Sequence, residues 1–271
     1  MTFPSFLGLI FAGVFTWFIY KKIRQSQRSK LYRKNIPSDY LVILKNNVPQ
    51  YNRLPEKFKI RLHGLINLFL DKKEFVGCAG LEITDEIRLT IAGNASLLLL
   101  NQNKDDFSGF TSILVYPDTY VAKEISYDEG IETHHQSARA GESWHRGPII
   151  LSWSDVIRGI NKSSDGHNVV IHEFAHKLDE ENSIVDGLPI LRDNTDYKEW
   201  AKILSREYKS LSIRVKHGTN TVLDEYGTKS PPEFFAVATE SFFEKSKKMK
   251  KELPDLYEQL GKYYGLDPAK W

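Results

Sequence analysis

Cysteine is nearly missing from this chain: Cys78 is the one cysteine in 271 residues, so neither an internal disulfide nor a multi-cysteine metal cage can form. That removes any reason to place the fold in an oxidising compartment. Acidic side chains are missing from residues 1–36, which hold seven of the 37 Lys and Arg. The remainder carries 30 basic and 35 acidic side chains, a net of −5, which argues against a nucleic-acid partner for the folded part. What is present is ordinary for a globular protein: 41% hydrophobic, 27% charged and 12% aromatic residues. Collagen-like, low-complexity and disordered chains are excluded by that balance.

Charge is also missing from Thr2 to Tyr20, where the run from Phe6 to Tyr20 is almost wholly apolar. Lys21, Lys22, Arg24, Arg28, Lys30, Arg33 and Lys34 follow at once. The pattern predicts a single transmembrane helix over residues 1–20 in a lipid bilayer, with the N-terminus outside and everything after Lys21 in the cytoplasm. A cleaved signal peptide would need positive charge before the apolar run and a small-residue cleavage site after it, and both are missing. Residues 21–36 then read as a basic juxtamembrane linker and residues 37–271 as one domain.

That domain is expected to be α+β and predominantly helical, with a small sheet. Apolar residues at Phe58, Leu62, Leu65, Ile66 and Phe69 mark one helical face behind Pro55. Thr84 opens a second helix towards Leu97. Ser112–Tyr116 and Pro148–Trp153 read as short strands. Helices are expected again over about residues 165–181, 195–210 and 231–250, the first opened by Ser164, Asp165 and Gly166. The lysines at 245, 247, 248, 250 and 251 read as a solvated helix end rather than a binding patch.

The chemistry concentrates in Val169–Asp179. His172 and His176 are four residues apart, so on a helix they project from one face and can share a tetrahedral Zn²⁺. Glu173 lies beside the pair, where a carboxylate can act as general base on a water at the open metal position. Two imidazoles and a carboxylate in an apolar helix are costly unless something binds them. The metzincin pattern is excluded, because Asp179 and Asn182 stand where it needs a glycine and a third histidine. The remaining histidines lack comparable context: His63 is in a helix, His134 and His135 are adjacent in a polar stretch, and His145, His167 and His217 are isolated. A carboxylate on the helix after Ser230 is the better third ligand. Spacing leaves Glu233 and Glu240 both open, since Ser230 and Glu233 also form a capping-box pattern behind Pro231.

Several ordered motifs resemble the Mlc titration factor A family of zinc peptidases. They are Ile113–Pro117, Gly141–Trp144 with Gly147–Trp153, His172–Asp179 and Glu233–Phe243, and the likeness spans most of residues 40–265. The resemblance implies a gluzincin-like metallopeptidase core related to the catalytic domain of anthrax lethal factor. It implies Glu233 as the third ligand, aminopeptidase-type activity and, in soluble members, binding of a glucose-responsive transcriptional repressor. Tyr226, seven residues before Glu233, resembles a family tyrosine that could donate to a developing oxyanion. Asp179 could accept the free ring N–H of a ligand histidine. The strand Pro148–Trp153 corresponds to a segment beside which related peptidases lay an extended substrate.

The expectation is therefore a membrane-anchored peptidase in which His172, His176 and Glu233 hold one Zn²⁺, with Glu173 and Tyr226 catalytic and a peptide or protein as substrate. The rival is a regulatory binding protein that sequesters a cytoplasmic repressor or another partner, with little proteolytic role.

Overall fold

The structure is a computed structural model that describes the backbone of residues 3–118, 120–128, 131–139, 141–143, 147–191 and 196–271, and the side chains of residues 14–118, 147–191 and 197–271. Helices α1 (Phe3–Tyr32), α2 (Ser38–Asn47) and α3 (Glu56–Lys72) lead into strand β1 (Glu74–Gly77), helix α4 (Asp85–Leu97) and strand β2 (Ser112–Tyr116). Strands β3 (Tyr120–Asp128) and β4 (Ile131–Arg139) pair with each other as an antiparallel hairpin. Strands β5 (Gly141–Ser143) and β6 (Ile149–Ser152) and helices α5 (Trp153–Asn161) and α6 (Val169–Asp179) follow. Helices α7 (Asp196–Lys216), α8 (Pro231–Glu244), α9 (Ser246–Glu252) and α10 (Pro254–Tyr264) complete the chain. The architecture is predominantly helical, as the apolar periodicity predicts, with a small four-stranded mixed sheet and the separate β3–β4 hairpin.

The sheet has the order β1-β2-β6-β5. β1, β2 and β6 run parallel, with Phe75 opposite Ile113 and Ile113 opposite Ile149, and β5 runs antiparallel to β6. All four residues of β6 are buried, as expected of a strand flanked on both sides. The expected substrate-side strand over Pro148–Trp153 is thus an interior strand, and β5 takes the sheet edge beside it.

Capping sets where the helices begin. Thr84 accepts from the Ile87 N–H at the start of α4, and Ser230 from the Glu233 N–H at the start of α8, with Pro231 in the first turn. At α6 the cap is Asn168, whose side chain accepts from the Ile171 N–H, so the helix begins later than the Ser164–Gly166 signal suggests. Gly166 instead turns the chain at φ +81°, packed on Lys245. The predicted 231–250 helix is broken at Lys245 into α8 and α9.

The core side of α6 is anchored by aromatic packing. Phe174 is fully buried, its ring 4.8 Å from that of Phe107, 5.6 Å from Phe69 and 5.9 Å from Phe110. Lys73 pins the segment carrying two of those rings by donating to the carbonyls of Phe107 and Phe110, both at 2.7 Å. On the far side of α8, Trp200 lies 6.0 Å from Phe235 and 5.5 Å from Tyr263. Contacts of this kind fix the two helices on which the candidate site stands.

The N-terminal expectation is corrected. Among the described residues no helix is long and apolar enough to cross a membrane. The almost wholly apolar run, Phe6–Tyr20, is 15 residues. As a helix it rises about 22 Å, against a hydrocarbon core of about 30 Å. α1 then continues unbroken through the basic stretch read as a linker, so most of residues 21–36 are helical. Its end docks on the domain: Tyr32 lies over Gly64 of α3, Arg28 pairs with Asp105 at 3.2 Å, and Asn67 donates to the Lys34 carbonyl at 2.7 Å. The single-pass localisation, the outside N-terminus and the bilayer partner fall with the spanning helix.

Candidate metal centre

Helices α6 and α8 pack against each other and bring three predicted ligands together. His172 Nε2 and Glu233 Oε2 are 2.9 Å apart, His172 Nε2 and His176 Nε2 are 3.2 Å apart, and His176 Nε2 and Glu233 Oε2 are 3.5 Å apart. Among the described residues, His172, His176 and Glu233 form the group able to hold a metal ion. All three side chains are mostly shielded, at 13%, 12% and 23% exposure. The edges of this triangle suit a small tetrahedral ion, because zinc bonds of about 2.0–2.1 Å separate neighbouring ligand atoms by about 3.3 Å.

Glu240 does not join the triangle. Its Oε1 accepts from His172 Nδ1 at 2.7 Å, and its Oε2 accepts from the Asn168 N–H. Its place is therefore behind the histidine, where a carboxylate fixes the tautomer and turns Nε2 towards the triangle. Asn168 extends the network, donating from Nδ2 to Glu244 Oε1 at 3.0 Å and to Asn94 Oδ1 at 3.2 Å. Sequence reasoning weighed Glu240 only as a ligand and missed Asn168 and Glu244. The available signal was the i, i+4 spacing of Glu240 and Glu244, which places both on one face of α8.

The electrostatics express this crowding. Burial opposes the charged form of His172, but the charge and hydrogen bond of Glu240 and the hydrogen bond of Glu233 raise it well above its ordinary value. Burial likewise opposes ionised Glu233, and the hydrogen bonds from His172 and His176 outweigh it, holding the carboxyl well below the usual range. Glu173 is 5% exposed and burial pushes its carboxyl up. Its Oε2 has no hydrogen-bond partner among the described residues.

Two further expectations meet different fates. Tyr226 lies beside the triangle, its ring 5.8 Å from that of His172 and its side chain partly open to solvent. Asp179 takes the Gly187 N–H at 2.8 Å with Oδ2, and its Oδ1 has no hydrogen-bond partner among the described residues, so it bonds neither histidine. It clamps the loop after α6, where Gly187 at φ +79° approaches the Pro231 carbonyl so closely that a Cβ would meet it at 2.7 Å. Trp144 and His145 lie outside the described residues, as do the side chains of His134 and His135.

The profile of the family described as glucose-regulated metallo-peptidase M90 matches residues 21–265. The chain belongs to this metallopeptidase family. An uncharacterized protein of Synechocystis is 38% identical over 244 residues, covering 89% of each chain. Mlc titration factor A of Pectobacterium atrosepticum is 31% identical over 226 residues, covering 82% of this chain and 84% of its own. The Yersinia pestis protein of the same name is 30% identical over the same length. Membership in the M90 family implies a bound metal. The residues present fit one: two imidazole nitrogens and one carboxylate oxygen converge, and Glu173, the neighbour of His172 in the chain, has a buried oxygen with no partner among the described residues.

Glu244 makes the network pH-sensitive. Burial pushes its carboxyl up to about 8, with Glu240 adding to the shift, while the Asn168 hydrogen bond works against it. The protonated form is favoured in the folded chain, so its stabilising contribution is full below the ordinary carboxyl range and is lost as pH rises through about 8. Glu244→Gln mimics the protonated form and is expected to flatten this loss. At about pH 9 it should be more stable than the wild type by on the order of 2–3 kcal/mol, with little difference at about pH 5. Urea unfolding at the two pH values measures it, and equal slopes with pH would show that Glu244 is not the group responsible.

Proposed function

We propose that this chain is a zinc-dependent peptidase. The observation that carries the reading is the triangle of His172 Nε2, His176 Nε2 and Glu233 Oε2, with edges of 2.9–3.5 Å, together with the buried Glu173 oxygen that has no hydrogen-bond partner among the described residues. These three residues would hold one Zn²⁺. When bound, the ion supplies Lewis acidity that makes water a usable nucleophile at neutral pH and polarises a carbonyl. Glu173 takes a proton from the attacking water and returns it to the leaving amine. Its burial serves that task, because a carboxyl with a raised pKa holds a proton more readily between the two transfers. Tyr226, at the open side, donates to the oxygen that gains charge. Strand β5 offers an edge to which an extended peptide can add by main-chain hydrogen bonds.

Aminopeptidase-type activity is the finer expectation. The full chain is expected to bind about one zinc and to hydrolyse aminoacyl anilides faster than internally quenched peptides with blocked ends. Elemental analysis and the two substrate sets decide this, and absence of stoichiometric zinc or a substitute metal from carefully prepared protein would remove the proposed chemistry.

A second reading is favoured by the name Mlc titration factor A, which describes relatives as titrating another protein. Under it, this chain sequesters a protein partner such as a transcriptional repressor. Partner regulation that survives in Glu173→Gln would support sequestration over proteolysis.

A further inference from the structure

His167 was an isolated histidine in the sequence, but in the fold it joins the metal-bearing helix to the Tyr226 turn. Its backbone is firmly mounted. Gly159 of α5 lies so near that a Cβ would be 2.7 Å from the His167 carbonyl, and the next residue, Asn168, caps α6 and donates its N–H to Glu240. The imidazole then reaches across to Asp224, with His167 Nε2 3.3 Å from Asp224 Oδ2.

Asp224 holds Tyr226 with its other oxygen, Oδ1, which accepts from the Tyr226 N–H at 2.8 Å. The rest of this turn is tied to α8 and α7. The Val222 carbonyl accepts from Lys245 Nζ and Ser241 Oγ, and Tyr208 donates to the Thr228 carbonyl at 2.9 Å. Gly227, next to Tyr226, packs on Val237 and Phe234 of α8 and on Leu211 of α7, and Asp224 adds a link from this turn to the segment that opens α6.

We propose that His167 and Asp224 form a clasp that positions Tyr226 over the metal-ligating histidines, tightest when His167 carries its charge. The inference rests on the reading of Tyr226 as an oxyanion donor, and both members of the clasp are positioning residues. Acidic groups dominate around His167: Asp224 across the gap, Asp165 in its own segment and Glu240 on α8 all favour its charged form. Lys245 faces Asp224 from the end of α8 and, with His167, favours its ionised form. The hydrogen bond to Asp224 raises His167 above its ordinary value, while burial opposes the shift. The clasp is therefore closed at low pH and loosens as pH rises through that raised value.

The test uses the full, metal-loaded chain and a chromogenic aminoacyl anilide. His167→Ala, a change at a largely exposed side chain, is expected to lower kcat about fivefold at about pH 6, with the ratio to wild type falling towards one at higher pH. Metal content should stay unchanged, and amide exchange across residues 225–228 should accelerate. Tyr226→Phe should lower kcat further than His167→Ala, and in that background His167→Ala should have no additional effect on kcat. An equal kcat loss in both backgrounds, or unchanged exchange in the turn, would overturn the clasp. Full activity of Tyr226→Phe alone would instead remove the oxyanion role of Tyr226, and turn exchange in His167→Ala would still decide whether the clasp holds the turn.

Discussion

Glu173→Gln is expected to cut turnover by about 10²–10⁴-fold while the chain keeps its metal. The substitution preserves size and shape, so α6 and its aromatic anchor at Phe174 remain in place. It removes only the ability to hold and release a proton. Glu173 does not belong to the triangle of ligand atoms, and among the described residues one of its buried oxygens has no hydrogen-bond partner. An oxygen in that state has lost the hydrogen bonds of water, a loss a fold tolerates when something else, such as a reacting water, supplies them during function. Glutamine can still offer an acceptor there, and binding of substrate should change less than kcat. Steady-state kinetics alongside metal analysis gives the result. Hydrolysis retained at near wild-type rate in a metal-replete variant would remove Glu173 from the mechanism.

The core of this site was legible in the sequence for a geometric reason. An i, i+4 histidine pair has one arrangement on a helix, so recognising α6 as a helix already placed His172 and His176 together. The third member of the triangle was not legible in the same way. Glu233 and Glu240 are seven residues apart, two helical turns, so both face α6 and sequence periodicity cannot tell which nitrogen each one reaches. The capping-box alternative was half right: Ser230 does accept from the Glu233 N–H at 3.4 Å, while the Glu233 carboxylate turns to the histidines instead.

The fold shows the same division between local and non-local information. Strand β2 and helices α3 and α4 lie where the apolar spacing and caps put them, because those signals act over a few residues. Strand β1 was missed, since four residues in a charged stretch become a strand only by pairing with Ser112–Val115, far along the chain. The N-terminal segment misled for another reason. Hydropathy changes abruptly at Lys21, but helix propensity does not, and no proline or glycine interrupts α1 between Gly13 and Tyr32. A change of composition was read as a change of structure.

The second large effect separates the two carboxylates of α8. Glu233→Ala is expected to lose the metal, since it removes one of three converging donors. Glu240→Ala should keep it with affinity lowered by about 10–100-fold, the usual cost of losing the partner behind a ligand histidine. Both variants should fold: the Ser230 cap uses the backbone N–H of residue 233, which truncation of the side chain leaves intact, and circular dichroism checks that α8 persists. The distances make the asymmetry specific. Glu233 meets the Nε2 atoms of both histidines, whereas Glu240 meets only Nδ1 of His172 and spends its other oxygen on Asn168. Removing Glu240 therefore frees one ring to turn and leaves the three donors present; removing Glu233 leaves two. Competitive zinc titration against a chelator reads both affinities. The reverse order, with Glu240→Ala stripped of metal and Glu233→Ala still loaded, would move the third ligand two helical turns along α8.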